Sequence, residues 1–167
     1  MANRDFPDRS FTKGKIADVT VKKLVKFVDE RGWLAELYRD DELAGNEFKP
    51  AMSYVSFTEP GTVRGPHEHA DQADLFCFIG PSMFRVYLWD NREASPTYRQ
   101  HSRFDAGVDN PLMVVVPKGV VHAYKNVGTE GGVVINCPNR LYAGRNRAEP
   151  VDEIRHEDDP DGPFQLD

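Results

Sequence analysis

Cysteine is scarce in this chain: Cys77 and Cys137 are the only two in 167 residues. That count argues against a disulfide framework, and both thiols lie in apolar runs where a buried, reduced state is expected. Long apolar stretches are lacking as well. None approaches the roughly 20 residues of a membrane span, and the opening residues, Met1 to Phe6, hold no apolar core of the kind a secretory signal needs. The cytoplasm is therefore the expected compartment, with no membrane partner. Basic charge is not in excess either. A formal net charge of −6 offers no face for nucleic acid, so an anionic ligand would depend on local arginines. Internal repeats and low-complexity tracts are absent.

What the sequence does contain is a succession of short apolar or alternating runs separated by turn residues. Val19 to Val28, Trp33 to Tyr38, Met52 to Phe57, Leu75 to Ile79, Met83 to Trp89, Leu112 to Val116 and Val133 to Ile135 are bounded by Gly, Pro, Asn and Asp. This spacing predicts an all-β sandwich or barrel. A helical turn is expected only near Asp40 to Ala44. The length suits one domain over residues 1–167, with an N-terminal arm at 1–14 and an acidic C-terminal arm at 149–167. The C-terminal arm, with Pro150, Pro160 and Pro163, reads as a solvated, irregular segment on the barrel surface.

Histidines concentrate the chemistry. His67 and His69 are two apart, so on an extended strand they point to one side. Asp74 follows after enough chain to return a carboxylate to the same spot. Pro117 and Gly119 make a turn before His122, a third imidazole. His101 and His156 have no such context.

The spacing Gly61–His67–His69–Asp74–Gly80, followed by Pro117–Gly119–His122–Asn126, resembles the paired motifs of cupins, with aspartate where the motif has glutamate. The resemblance implies a cupin jelly roll, the double-stranded β-helix barrel. It also implies a single divalent metal held by His67, His69, Asp74 and His122. Such a mixed nitrogen and oxygen set suits Zn, Fe, Mn or Ni. No organic cofactor is expected.

A narrower likeness runs from about Asp29 to about Pro160. Asp29 to Glu36, the Arg64-Gly65-Pro66-His67 segment, Ser95 to Tyr98, Pro117 to His122 and Tyr142 fall in order. Together they resemble the dTDP-4-dehydrorhamnose 3,5-epimerase family. That resemblance implies a homodimer and a nucleotide-sugar substrate. The reaction is inversion beside a C4 ketone, through proton removal to an enolate and reprotonation on the other face. It implies His67 as base and Tyr142 as acid, with Arg31, Glu36, Arg64 and Arg140 holding the substrate. Family members exchange N-terminal strands, so Lys15 to Phe27 are expected on the partner's sheet. The family's lysine beside the enolate oxygen has no counterpart in Ala70 to Asp74, and its Gln and Asn are Met52 and Tyr54 here. No aspartate is expected from the chain's end to orient the base.

A histidine that ligates a metal through one nitrogen cannot use that nitrogen as a base; Tyr142 or Glu68 would then serve. Three functions are compatible with these residues. One is a nucleotide-sugar epimerase of surface polysaccharide biosynthesis. Another is a metal cupin of a different class, such as a dioxygenase, lyase or free-sugar isomerase. The third is a non-catalytic sugar-nucleotide binder.

Overall fold

The structure, a computed structural model, describes residues 10–43, 48–159 and 161–167. Residues 1–9 of the N-terminal arm, Ala44 at the end of the expected helical turn, and Pro160 lie outside the described residues. Thirteen strands are described: β1 (Thr12–Lys13), β2 (Thr20–Lys23), β3 (Lys26–Asp29), β4 (Gly32–Ala35), β5 (Tyr54–Thr58), β6 (Val63–Glu68), β7 (Asp74–Gly80), β8 (Met83–Asp90), β9 (Gln100–Gly107), β10 (Leu112–Val116), β11 (Val120–Asn126), β12 (Gly132–Asn136) and β13 (Ile154–Arg155). A four-residue helix, α1 (Asp40–Leu43), follows β4. Among the described residues, no helix is long and apolar enough to cross a membrane.

Two sheets face each other as a jelly-roll barrel. One has the order β1-β9-β8-β11-β6-β13 and the other β2-β10-β7-β12-β5, while β3 and β4 form a hairpin of their own. The all-β cupin expectation is met. Alternation assigns each side chain its place. On β7, Phe76 and Phe78 turn into the barrel with Phe84, Val86, Leu88, Val114 and Tyr124. Leu75, Cys77 and Ile79 turn outward, beneath Leu24, Leu43 and Phe48. Both faces of β7 are thus covered, which is why its sequence reads as a continuous apolar run. Cys77 and Cys137 are free and buried, and burial pushes the Cys77 thiol up to about 12.

Two expectations are corrected, and one strand is added. The C-terminal arm is built into the barrel: β13 pairs with β6, Ile154 opposite Glu68 and Arg155 opposite His67, and Phe164 packs on Tyr87 and Trp89. The acidic composition hid this, because its few apolar residues carry no periodicity. Next, β2 pairs with β10 of its own chain, Lys23 opposite Leu112, so Thr20 to Lys23 are not left for a partner's sheet. Finally, β9 was not marked out in the sequence at all. Its Gln100–Gly107 segment is polar and half-exposed, and it is held by the ladder to β8.

Candidate active site

One end of the barrel interior is open. The cavity there measures about 1130 Å³ and is lined by strand residues such as Tyr54, Ser56, Arg64, His67 and Tyr124, and by loop and C-terminal-arm residues such as Gln72, Arg140 and Glu153. His67 of β6, at the cavity wall, and the buried His122 of β11 are direct cross-strand partners with ring centroids 4.5 Å apart. Buried behind the lining are Asp74, which opens β7 on the inward face shared by Phe76, and Asn136, which ends β12 opposite Tyr54 of β5.

Two glycines of the motifs have geometric reasons. Gly65 has φ +83°, and a Cβ there would stand 2.5 Å from the carbonyl oxygen of His122; only glycine lets β6 approach β11 this closely. Gly119 has φ +72° in the turn before β11, and its N–H donates to the carbonyl of His69 at 2.9 Å. That bond ties the two motifs together. Asn126, the motif's last residue, is structural. It is fully buried, donating to the carbonyls of Thr58 and Glu130 at 2.8 Å and accepting from Ser82 at 2.8 Å.

The three motif histidines converge: ligand atoms of His67, His69 and His122 lie within 4.8 Å of one another. Asp74 Oδ2 is 3.0 Å from His69 Nε2 and 3.5 Å from His122 Nε2. Backbone carbonyls select the tautomers. His69 Nδ1–H donates to the carbonyl of Asp152, and His122 Nδ1–H donates to that of Val120 at 3.0 Å. Both Nε2 atoms therefore carry lone pairs toward the Asp74 carboxylate. Asp74 Oδ2 and His122 Nε2 are buried without a hydrogen-bond partner. Such a cluster calls for one positive charge, either a proton on His69 or a metal ion. For His69, burial opposes protonation, but the hydrogen bond and charge of Asp74 prevail and raise its pKa. Burial would likewise push Asp74 up, yet His69, His122 and Asn136 hold it below the usual carboxylate range.

His67 is set apart from this pair. Burial first, then the neighbouring imidazoles of His122 and His69, pull its pKa down to about 2, so it is neutral near pH 7. Its Nδ1 lies 3.9 Å from Glu153 Oε1 and 4.0 Å from Glu157 Oε2, and that Glu157 oxygen is buried with no hydrogen-bond partner. The C-terminal arm thus brings two carboxylates behind His67, where no acidic residue was expected. Asp152 fastens the arm by accepting from the N–H groups of Ala70 (2.9 Å), Asp71 (2.8 Å) and Gln72 (2.8 Å).

The other expected residues divide. Arg64, Arg140 and Tyr142 line the cavity. Arg64 donates to Thr58 Oγ1 at 2.9 Å and to the carbonyl of Phe57 at 2.8 Å, whereas Arg140 pairs with Asp71 at 3.0 Å. Tyr142 stands half-exposed at the rim. Arg31 and Glu36 are not brought to the cavity of their own chain: Arg31 pairs with Asp29 at the tip of the β3–β4 hairpin, and Glu36 with Arg39. Glu68 is corrected as a base. Lying between two inward histidines, it points the opposite way and accepts from Asn91 (2.8 Å) and His156 (2.9 Å). Sequence reasoning missed Tyr54, Asn136, Arg147, Arg155, Glu153 and Glu157. Two signals pointed to Tyr54: it stands where the family has Asn, and the period-two pattern of β5 puts it on the inward face with Ser56.

Known proteins similar to this chain identify its family. The chain is 41% identical to the spore coat polysaccharide biosynthesis protein SpsL of Bacillus subtilis (strain 168), across 76% of this chain and 82% of that protein. It is 37% identical to the "Probable low-salt glycan biosynthesis epimerase Agl13" of Haloferax volcanii, across 76% and 81%. Among solved structures, the dTDP sugar isomerase of Desulfovibrio desulfuricans G20 superposes with a TM-score of 0.78 at 20% identity, covering 91% of each chain; that likeness concerns the fold alone. Residues 13–158 match the family described as dTDP-4-dehydrorhamnose 3,5-epimerase, and the chain belongs to that family.

Proposed function

We propose that this protein is an epimerase of a nucleotide-activated 4-keto-6-deoxyhexose in polysaccharide biosynthesis. The observation that carries the reading is the placement of His67 at the cavity wall, with Glu153 and Glu157 carboxylates 3.9 and 4.0 Å from its Nδ1. A carbon next to a ketone gives up a proton to such a base, leaving an enolate. Closing of Glu153 and Glu157 from 3.9–4.0 Å onto Nδ1 in the substrate complex would offset the burial that disfavours the imidazolium. Tyr142, across the rim, serves as the acid on the other face. The diphosphate is held by guanidinium groups, with Arg64 and Arg140 joined by Arg147 and Arg155 at the cavity wall. With a nucleotide sugar as substrate, the cytoplasm is the expected compartment.

The reading includes a homodimer. Phe27, Val28, Trp33 and Leu34 on the β3–β4 hairpin are each more than half exposed, an apolar surface suited to a second copy. Arg31 and Glu36 on and beside that hairpin would act only in a partner's cavity. Incubation with dTDP-4-keto-6-deoxyglucose in deuterated water, followed by NMR, tests the function. Deuterium at C3 or C5 with inversion is expected; absence of incorporation overturns the reading.

A second reading, with a metal, rests on the unpartnered lone pairs of Asp74 and His122. Three imidazoles and a carboxylate fit a divalent ion, and His67, His69, Asp74 and His122 would hold it. The carbonyl bonds to His69 and His122 fix their tautomers for ligation through Nε2. A bound ion would polarise a carbonyl oxygen. In that case His67 has no free lone pair to act as base. Exchange that survives chelator supports His67 as base. Exchange that is lost with chelator, and restored by one divalent ion, supports the metal.

A further inference from the structure

A base beside a ketone is half of an enolate-forming site; the other half is a donor to the oxygen on which charge develops. Ala70 to Asp74 contain no lysine. The nearby Lys118 is well exposed and faces Asp71 at 3.6 Å. The donor has to come from elsewhere in the cavity.

Tyr54 has the required geometry. Its phenolic oxygen accepts a hydrogen bond from Asn136 Nδ2 at 2.7 Å. The same nitrogen donates its other hydrogen to Asp74 Oδ1 at 2.9 Å. The amide cannot turn round, because its oxygen would then face the Asp74 carboxylate. Gln72 reinforces this by donating to the same Asp74 oxygen at 3.0 Å. Since the phenolic oxygen is an acceptor toward Asn136, its own proton points elsewhere, and among the described residues it has no acceptor. Tyr54 lines the cavity, and one amide nitrogen separates its hydroxyl from the carboxylate beside His69 and His122. Accepting a bond from an amide also polarises the O–H and strengthens it as a donor.

We propose that Tyr54 is a catalytic residue whose hydroxyl donates to the C4 oxygen of the keto-sugar and stabilises the enolate, with Asn136 fixing the direction of that proton. The proposal rests on the epimerase reading and adds a residue to it. A phenol is protonated near neutral pH in any case, and the surroundings of Tyr54 push its pKa further up, burial outweighing the counteracting bond from Asn136. No proton is transferred to carbon by Tyr54. It strengthens a hydrogen bond as the C4 oxygen gains charge, and the charge returns to carbon on reprotonation. Tyr124, the other inward phenol, does not fit as well: its hydroxyl is shared with Ser56 at 3.0 Å.

The role predicts a specific kinetic pattern. Both enolates, toward C3 and toward C5, place their charge on the same C4 oxygen. Tyr54→Phe should therefore slow deuterium incorporation at C3 and C5 by the same factor, roughly 10²–10³-fold. Binding of dTDP, measured by calorimetry, should stay within threefold of wild type, which also verifies that the variant is folded. Tyr142→Phe provides the contrast: loss of an acid on the opposite face should impair inversion more than exchange. Unequal slowing at the two carbons, a change below threefold, or parallel loss of dTDP binding would each overturn the role of Tyr54. If wild-type protein binds dTDP but incorporates no deuterium, the epimerase reading fails and this role fails with it.

Discussion

Two buried aspartates, each near an end of a barrel strand, are treated very differently by their surroundings. Asp90, at the end of β8, has every lone pair engaged. Oδ1 accepts from Arg92 Nε at 2.8 Å; Oδ2 accepts from Ser95 and Thr97 at 2.6 Å and from Arg92 Nη2 at 3.0 Å. Arg92 is in turn held by Asp18 at 2.9 Å. Asp74, at the start of β7, has one oxygen satisfied by Gln72 and Asn136. Its other oxygen is pressed against two imidazole nitrogens without a hydrogen-bond donor. A completed buried network fixes the fold, while an incomplete one is a place where the protein waits for a proton, an ion or a substrate. The Ser95 to Tyr98 segment, part of the family likeness, therefore belongs to structure. The histidine segment is where the proposed chemistry lies.

That contrast can be broken in several ways. The largest effect is expected from His67→Ala, which should lower epimerase turnover by about 10³-fold. The melting temperature should move little, because His67 borders the cavity and contributes little to the core. If the variant is unfolded by circular dichroism, the histidine cluster is structural after all. Next in size is Asp90→Ala, which leaves the Arg92 guanidinium and two hydroxyls without their acceptor. A stability loss of about 3 kcal/mol is expected from urea titration, with turnover per folded molecule unchanged.

A smaller effect concerns acid. Burial raises the pKa of Asp90, but the bonds from Arg92, Ser95 and Thr97 outweigh it and bring the group down to about 2. The folded pKa lies below the unfolded one, so the unfolded chain binds the proton more readily between the two. This contribution is fully present above about pH 4 and disappears as pH falls toward 2. Melting curves of wild type should show the loss across that window, and Asp90→Asn should flatten it.

Asp74→Asn should have the smallest effect on stability. The amide keeps one oxygen for Gln72 and Asn136, and its nitrogen can donate to a histidine lone pair that is now unpartnered. The change should stay within about 1 kcal/mol in the same urea titration. A loss as large as that of Asp90→Ala would show the two aspartates to be equivalent, and the contrast would fail.

The sequence alone determined the fold class and the heart of the site. Period-two alternation, with glycine and proline between runs, encodes strands locally. The inward direction of His67, Asp74 and His122 follows from the same periodicity once their strands form. The glycines at 65 and 119 are local in this sense too, since positive φ is a property of one residue. Tertiary structure decided whatever depends on segments distant along the chain. The polar strand β9 exists because β8 offers it a ladder. The acidic arm becomes part of the site because Asp152 caps the turn at Ala70 to Gln72, about 80 residues earlier. Glu153 and Glu157 reach His67 only through that attachment. Arg31 and Glu36, legible as family positions, are left outside the cavity by a hairpin whose place is set by packing. Short-range backbone preferences write strands and turns into sequence. The free energy of joining remote segments is a property of the assembled surfaces, and no short window of residues contains it.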